Sequence, residues 1–334
     1  MPGWKEVIAE GEAEELERLA RSLRAVQKTR TPKGRALHMK QHAGLLAEFT
    51  TLPDLPEWAR AGIFSSPKAY RAYVRFSNGS GLAQRDRTPD VRGIAVKLVG
   101  VPGKKIIEGL SDAKTQDFLA ILTPSVAFRN PSEFVGVVLA ASGSPLLLLP
   151  RMIGALGFRL FSVLPKLQAA LKMSVESLGS KTFFSALPIR WGEAAAKYSL
   201  VPRAVPEPEK PVDLDAPDQL GLDLAARLAR GAIEYDVRAQ AFVDEEKTPI
   251  EDPTREWHSH WVTVGTLTIP KQDPTSERGK KLHAFVDTLS FDPWHAPEEF
   301  RPLGAMMRAR AIAYRESVME RGAAPEPDGS ESWD

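Results

Sequence analysis

An α+β chain organised around an antiparallel sheet or barrel is the fold class this sequence predicts. Strand-like texture dominates the middle of the chain, helical periodicity flanks it, and no internal repeat is present. The 334 residues are enough for a large core, as one big domain or two small ones.

From Lys5 to Val26 the apolar residues Val7, Ile8, Leu16, Leu19 and Leu23 recur at helical spacing between Glu and Arg. That pattern predicts an amphipathic helix packed on the body. Residues 71–100 switch to strands, Ala72–Phe76 and then Gly93–Leu98, with a Gly/Asn/Ser turn between them. Asp117–Leu122, Ser180–Leu187, Ile233–Val243 and Trp261–Ile269 read as strands too. The Pro-rich joints at 202–217 and 245–254 are short and read as loops.

One stretch stands apart. Phe134–Pro150 is free of charge, and only Arg151 and Arg159 are charged from there to Leu164. Ser-Gly-Ser-Pro at 142–145 breaks it, which makes a poor transmembrane helix. The first expectation is a helical hairpin buried in the protein or in a homodimer interface. The second is a peripheral membrane contact or an apolar entrance for lipid substrates.

Composition narrows the function classes. Hydrophobic and charged contents of 43% and 26% belong to an ordinary globular protein. A net charge of +1 argues against a nucleic-acid footprint. The absence of cysteine excludes disulfides, iron–sulfur clusters, thiolate catalysis and thiolate-ligated haem. The opening residues carry acids and bases where a signal peptide needs an apolar core, so the expected location is cytoplasmic, with membrane association if the apolar stretch meets lipid.

Near the other end stand Arg310 and Tyr314, four residues apart in a helical run and so on one face. A cation favours the anionic form of a group it touches, and tyrosinate is one of the few axial ligands of haem iron. Alone, the pair is ordinary helix surface. His258 and His260 share a strand face but lack a third ligand beside them, and Gly79 and Gly81 lack the rest of a dinucleotide fingerprint.

The pair gains weight from motifs elsewhere. Arg35-Ala36-Leu37-His38, Val74-Arg75-Phe76-Ser77 and Asp90-Val91-Arg92-Gly93-Ile94-Ala95-Val96-Lys97 occur in that order. They are followed by Thr123-Pro124, Phe128-Arg129-Asn130-Pro131, Ser180-Lys181-Thr182-Phe183 and finally Arg310-x-x-x-Tyr314. The ordered set resembles the catalase family over most of residues 31–321. Thr248–Pro253, Phe291–Trp294 and Arg301–Gly304 are similar to the shorter, catalase-related haem proteins.

The resemblance implies a single-domain, catalase-like antiparallel β-barrel with flanking helices, holding haem b between the barrel and a C-terminal helix. The domain plan it suggests is an N-terminal helical arm (1–30), a haem-binding domain (31–321) with an apolar helical insertion at 134–175, and a polar tail (322–334). It makes His38 the distal acid/base, Ser77 the residue that orients its imidazole, and Tyr314 the iron ligand. Arg35, Arg75 and Arg321 are then expected near the haem propionates and Arg310 on the proximal phenolate. Phe128 and Phe183 either pack on the porphyrin or fill the core. His42 is expected to be structural, and Asp90 and Arg92 to form a structural pair.

One departure shapes the expected activity. Catalases place an asparagine beside the peroxide just before the Thr-Pro, and by that register Leu122 takes its place here. Leu offers no donor to polarise the peroxide, unless Thr123 or Asn130 replaces it. The expectation is therefore a haem peroxidase acting on organic hydroperoxides with a small-molecule reductant, and little hydrogen peroxide disproportionation. The alternatives are a fatty-acid hydroperoxide isomerase or lyase on the same scaffold, or a non-catalytic haem-binding protein.

Overall fold

The computed structural model describes residues 3–30, 35, 37–173 and 175–332. Its centre is an antiparallel barrel. The strands are β1 (Gln41–Thr51), β2 (Ala69–Asn78), β3 (Arg92–Val99), β4 (Thr115–Ile121), β5 (Phe183–Phe184), β6 (Ile189–Trp191), β7 (Ala194–Ala204), β8 (Ile233–Ala241) and β9 (Trp261–Ile269). Hydrogen bonding runs in the order β5-β4-β3-β2-β1-β9-β8-β7-β6, and β5 also pairs with β7. That last pairing closes eight strands into a ring and leaves β6 hanging from β7, so the barrel has no long open edge.

Alternation along the strands fills the interior. Val74 and Phe76 of β2, Ile94, Val96 and Leu98 of β3, and Phe118 and Ala120 of β4 all point into the barrel core. There they meet Phe49, Phe183, Trp191, Tyr235 and Leu267, all at most 1% exposed. The opposite faces of β2–β4 carry the polar residues Arg75, Ser77, Lys97 and Asp117, and the rest of the chain wraps over that side.

Three strands were not foreseen: β1, β7 and the three-residue β6. β1 carries Ala43, Gly44 and Ala47 and has β-branched residues only at its end, Thr50 and Thr51, while β7 carries Ala194–Ala196 and Pro202 with Val201 as its single β-branched residue, so their local strand propensity is weak. Both are held by partners on either side, β2 and β9 for one and β5, β6 and β8 for the other. Ser180–Leu187, expected as a strand, contributes only the two residues of β5.

Helices cover the barrel. The N-terminal helix α1 spans Glu12–Arg30 rather than starting at Lys5. Val7 and Ile8 are exposed, and residues before the helix form a strap held by Glu6, which accepts hydrogen bonds from Arg301, Arg308 and the Gly304 amide. In the apolar stretch, α2 (Pro131–Ser142) starts at Asn130, whose side chain accepts from the Glu133 amide, with Pro131 at the first helical position. It is followed by α3 (Leu148–Leu156) and α4 (Leu160–Leu171). α5 (Gln219–Leu228) and α6 (Glu277–Thr288) pack on β1.

The last helix, α7 (Ala305–Arg321), is fixed at both ends. Gly304 at φ 88° lets the chain turn into it, and Glu251 of the Thr248–Pro253 motif accepts the Ala305 amide at 2.8 Å. Gly322 at φ 60° ends it, its amide bonding back to the Met319 carbonyl. In the first turn of α7, the Met307 carbonyl accepts from the Trp294 indole of the Phe291–Trp294 motif at 2.8 Å. The tail beyond 322 is folded onto the barrel: Glu326 lies 2.6 Å from the buried Lys97 ammonium, and Tyr73 donates to Glu331 at 2.8 Å.

Candidate active site

The site is built on the outer face of β2–β4. Strand register places Ser77 of β2 opposite Gly93 of β3, and Gly93 opposite Ile121 of β4, so the three form one row across the sheet. His38 stands over that row. Its Nδ1 is hydrogen-bonded to Ser77 Oγ at 3.0 Å. The ring sits where a side chain at 93 would be: a Cβ there would meet His38 Cε1 at 2.9 Å.

The backbone of His38 is itself strained, at φ 56°, a region that non-glycine residues rarely adopt. The His38 amide donates to the Gly79 carbonyl at 3.0 Å, and Arg75 donates to the His38 carbonyl at 2.9 Å. Desolvation, and then the cations Arg75, Arg310 and Arg35, pull its pKa down to about 3. The imidazole is therefore neutral throughout the physiological range, and able to accept a proton.

Three arginines converge beside it. Arg35 donates to the carbonyls of Asp287 and Leu289 at 2.9 and 2.6 Å, and Arg321 to the Leu289 carbonyl at 2.8 Å. Arg75 donates to Asp287 Oδ1 at 3.1 Å. Asp287 thus forms ion pairs with Arg75 at 3.1 Å and Arg35 at 3.8 Å, and its charge also acts on Arg321. Burial, then the charges of Arg75 and Arg321, push Arg35 down to about 8. The Nε atoms of Arg35 and Arg75 are buried without a hydrogen-bond partner. Three guanidiniums near a single carboxylate, with spare donors, are a receptor for further carboxylates, which fits a cofactor bearing two propionates.

On α7, Arg310 Nη2 donates to the Tyr314 hydroxyl at 2.8 Å, and the guanidinium lies 5.1 Å from that ring's centre. Burial opposes the charge on Arg310, but the Tyr314 oxygen, then Tyr198 and Asp292, outweigh it and push its pKa up. The phenol oxygen, held by a permanent cation, is the donor type that haem iron accepts. Arg310 acts electrostatically on His38, and Tyr314 on Arg35, so the helix and strand halves form one constellation. His38, Ser77, Arg35, Arg75, Arg310, Tyr314 and Arg321 are all part of it.

The remaining expected residues divide. Phe128 packs edge-on to Phe134 at 5.5 Å, in the apolar cluster shared with α2–α4 and Met306 of α7. Phe183 is fully buried inside the barrel against Phe76 and Tyr235, so in this structure it fills the core. His42 is structural: its Nε2 is 2.6 Å from Asn78 Oδ1, and burial draws its pKa down to about 4. Asp90 and Arg92 pair at 3.6 Å.

The distal register needs a correction. Leu122, one residue past the end of β4, is buried in the core cluster that includes Ala120 and Phe118. Ile121 is the β4 residue in the row with Gly93 and Ser77. A shift of one residue along a strand exchanges its faces. Neither residue has a donor, so the missing amide stands. Asn130 does not replace it, because its side chain caps α2. Gly93, Ile121 and Asp287 were missed as site residues; Gly93 alone had a signal, standing within a quoted motif at a place only glycine fits.

No protein-family model matches the chain. Among curated proteins it is similar to a catalase-related peroxidase of Mycolicibacterium paratuberculosis, 32% identical over 280 residues that cover 77% of this chain and 81% of the relative. Solved structures of similar fold include a fungal catalase, with TM-score 0.67, 17% identity, and coverage of 96% of this chain and 64% of that one. Catalase A from Saccharomyces cerevisiae gives a TM-score of 0.65 at 17% identity, covering 96% and 66% respectively. The chain therefore spans about two thirds of those catalases' length, and at such identities the likeness is one of fold.

Proposed function

The chain belongs to the catalase-related peroxidases, haem-dependent oxidoreductases with the catalase fold, and we propose that it reduces organic hydroperoxides on haem b, using a small-molecule reductant. The single observation that carries the substrate class is Ile121. It puts a branched hydrocarbon in the row beneath the distal histidine, on the face where an amide would grip hydrogen peroxide. A drier, donor-poor pocket favours an alkyl hydroperoxide over a small polar one.

The residues present fit the cofactor. Tyr314 would ligate the iron with Arg310 balancing the phenolate charge, and Arg35, Arg75 and Arg321 would receive the propionates. Bound haem supplies the redox chemistry of oxygen–oxygen cleavage. His38 supplies the proton transfers: its neutral ring takes the hydroperoxide proton and returns it to the departing alkoxyl oxygen, which leaves as the alcohol. Ser77, bonded to Nδ1, and the space above Gly93 fix the ring so that Nε2 is the nitrogen that exchanges the proton.

A second reading, a fatty-acid hydroperoxide isomerase or lyase, draws support from the apolar cluster that runs from Phe128 to Leu160 and Val163. Consumption of cumene hydroperoxide and hydrogen peroxide, with and without guaiacol as reductant, separates the cases. We expect His38-dependent, reductant-dependent turnover of cumene hydroperoxide and slow oxygen release from hydrogen peroxide. Rapid oxygen release would refute the substrate assignment. Turnover of a lipid hydroperoxide with no reductant would establish the second reading, and a haem spectrum with no His38-dependent consumption of either peroxide would remove both.

A further inference from the structure

The apolar stretch is not buried in a hairpin. α3 and α4 are separated by Gly157 at φ 52°, and α4 contains Pro165, so the 24 residues from Leu148 to Leu171 bend rather than run straight. One side of the bend is seated on the body: Met152, Leu156, Leu160 and Val163 close over Phe128, Val137 and Ala140. The other side faces outward. Leu146 is 89% exposed, Leu149 58%, Ile153 51%, Phe158 94% and Phe161 79%. Folded monomers rarely leave so many large apolar residues together in water.

The charges around this patch select its occupant. Residues 134–175 contain Arg151, Arg159, Lys166 and Lys172 and no Asp or Glu. Arg159 is neutralised by Glu133, at 2.5 Å, while Arg151, Lys166 and Lys172 are exposed. A second copy docked symmetrically on the same patch would set these cations against their own counterparts, with no acid from the segment to balance them. Aromatic and aliphatic side chains ringed by cations suit a bilayer surface with anionic headgroups.

We propose that α3 and α4 are a monotopic membrane-docking element for anionic lipid surfaces, with Phe158, Phe161, Leu146 and Leu149 inserted at the headgroup boundary. Because the inner faces of both helices belong to the protein's own core, the element lies on the bilayer and does not cross it. The inference is independent of the peroxide assigned to the active site.

Flotation of the full-length protein with phosphatidylglycerol/phosphatidylcholine vesicles, against phosphatidylcholine alone, tests it. We expect binding to the mixed vesicles that weakens as salt is raised. Phe158→Asp/Phe161→Asp should lower the partition coefficient roughly a hundredfold or more with circular dichroism unchanged. Arg151→Gln/Lys166→Gln/Lys172→Gln should lower it by roughly a hundredfold on mixed vesicles and little on neutral ones. Parent protein that stays in solution at saturating lipid overturns the proposal. So does a stable dimer in light scattering that the two Asp substitutions dissociate, which would make the patch a contact between copies.

Discussion

Substitution of Gly93 by Ala tests the distal geometry directly. The added Cβ would stand 2.9 Å from His38 Cε1, 3.3 Å from the Ala120 carbonyl oxygen and 3.4 Å from His38 Nδ1. Carbon–carbon contacts settle at about 3.5–4.0 Å, so the ring has to retreat by roughly 0.6–1.1 Å. Strand backbone on both sides of Gly93 holds its own position through the β2–β3 and β3–β4 ladders, which leaves the imidazole as the part that moves. A retreat of that size stretches the 3.0 Å bond to Ser77 beyond hydrogen-bond reach. Misplacing a catalytic group by about 1 Å costs roughly 100-fold in rate, or about 2.7 kcal/mol of barrier. Stopped-flow consumption of cumene hydroperoxide by the haem-loaded variant should slow by that factor. Its haem absorption spectrum should match the parent's, because Arg310 and Tyr314 lie on another element. A rate within about twofold of the parent would refute both the role of His38 and the space assigned to its ring.

Three further outcomes follow from the same coordinates. Tyr314→Phe removes the phenol oxygen held at 2.8 Å by Arg310, and the haem absorption band should shift or vanish on reconstitution; an unchanged band excludes Tyr314 as ligand. Because the His38 pKa is lowered to about 3, its proton-accepting form persists well below neutrality. The His38-dependent rate should be flat from about pH 8 to pH 5, since the neutral imidazole is lost only as pH falls through the lowered pKa; a half-loss near the unperturbed value of about 6.5 would contradict this. Glu326→Ala strips a carboxylate from Lys97, which is fully buried and, among the described residues, otherwise ion-paired only with Asp117 at 2.7 Å. Leaving that ammonium under-compensated should cost about 3–5 kcal/mol, visible as a fall of several degrees in Tm by calorimetry. A fall of less than a degree would mean that the tail does not hold the barrel.

The motifs around His38, Ser77, Gly93, Arg310 and Tyr314 made the barrel, the cofactor and most of the site legible in one dimension. Chemistry of this kind needs particular residue types at short spacings, such as the i and i+4 positions of a helix or alternate positions of a strand. Strands poor in β-branched residues, such as β1 and β7, were not legible, because little local marks them and their pairing partners create them. Nor was the place of Asp287 and the Leu289 carbonyl among Arg35, Arg75 and Arg321, which rests on contacts between distant parts of the chain: Asp287 pairs with Arg35 and Arg75, and Leu289 accepts from Arg35 and Arg321.

By itself, then, the order of residues determined the family and the residue types of the candidate site: a histidine, a phenol beside an arginine, and a set of further cations. Tertiary structure decided which side chains face that site. Strand pairing set Ile121 in the row with Gly93, while Leu122, just past the strand's end, joined the core cluster. Packing likewise decided the apolar stretch. Its periodicity announces a hydrophobic segment, but one side of α3 and α4 found a partner in Phe128 and Val137, while Phe158 and Phe161 found none.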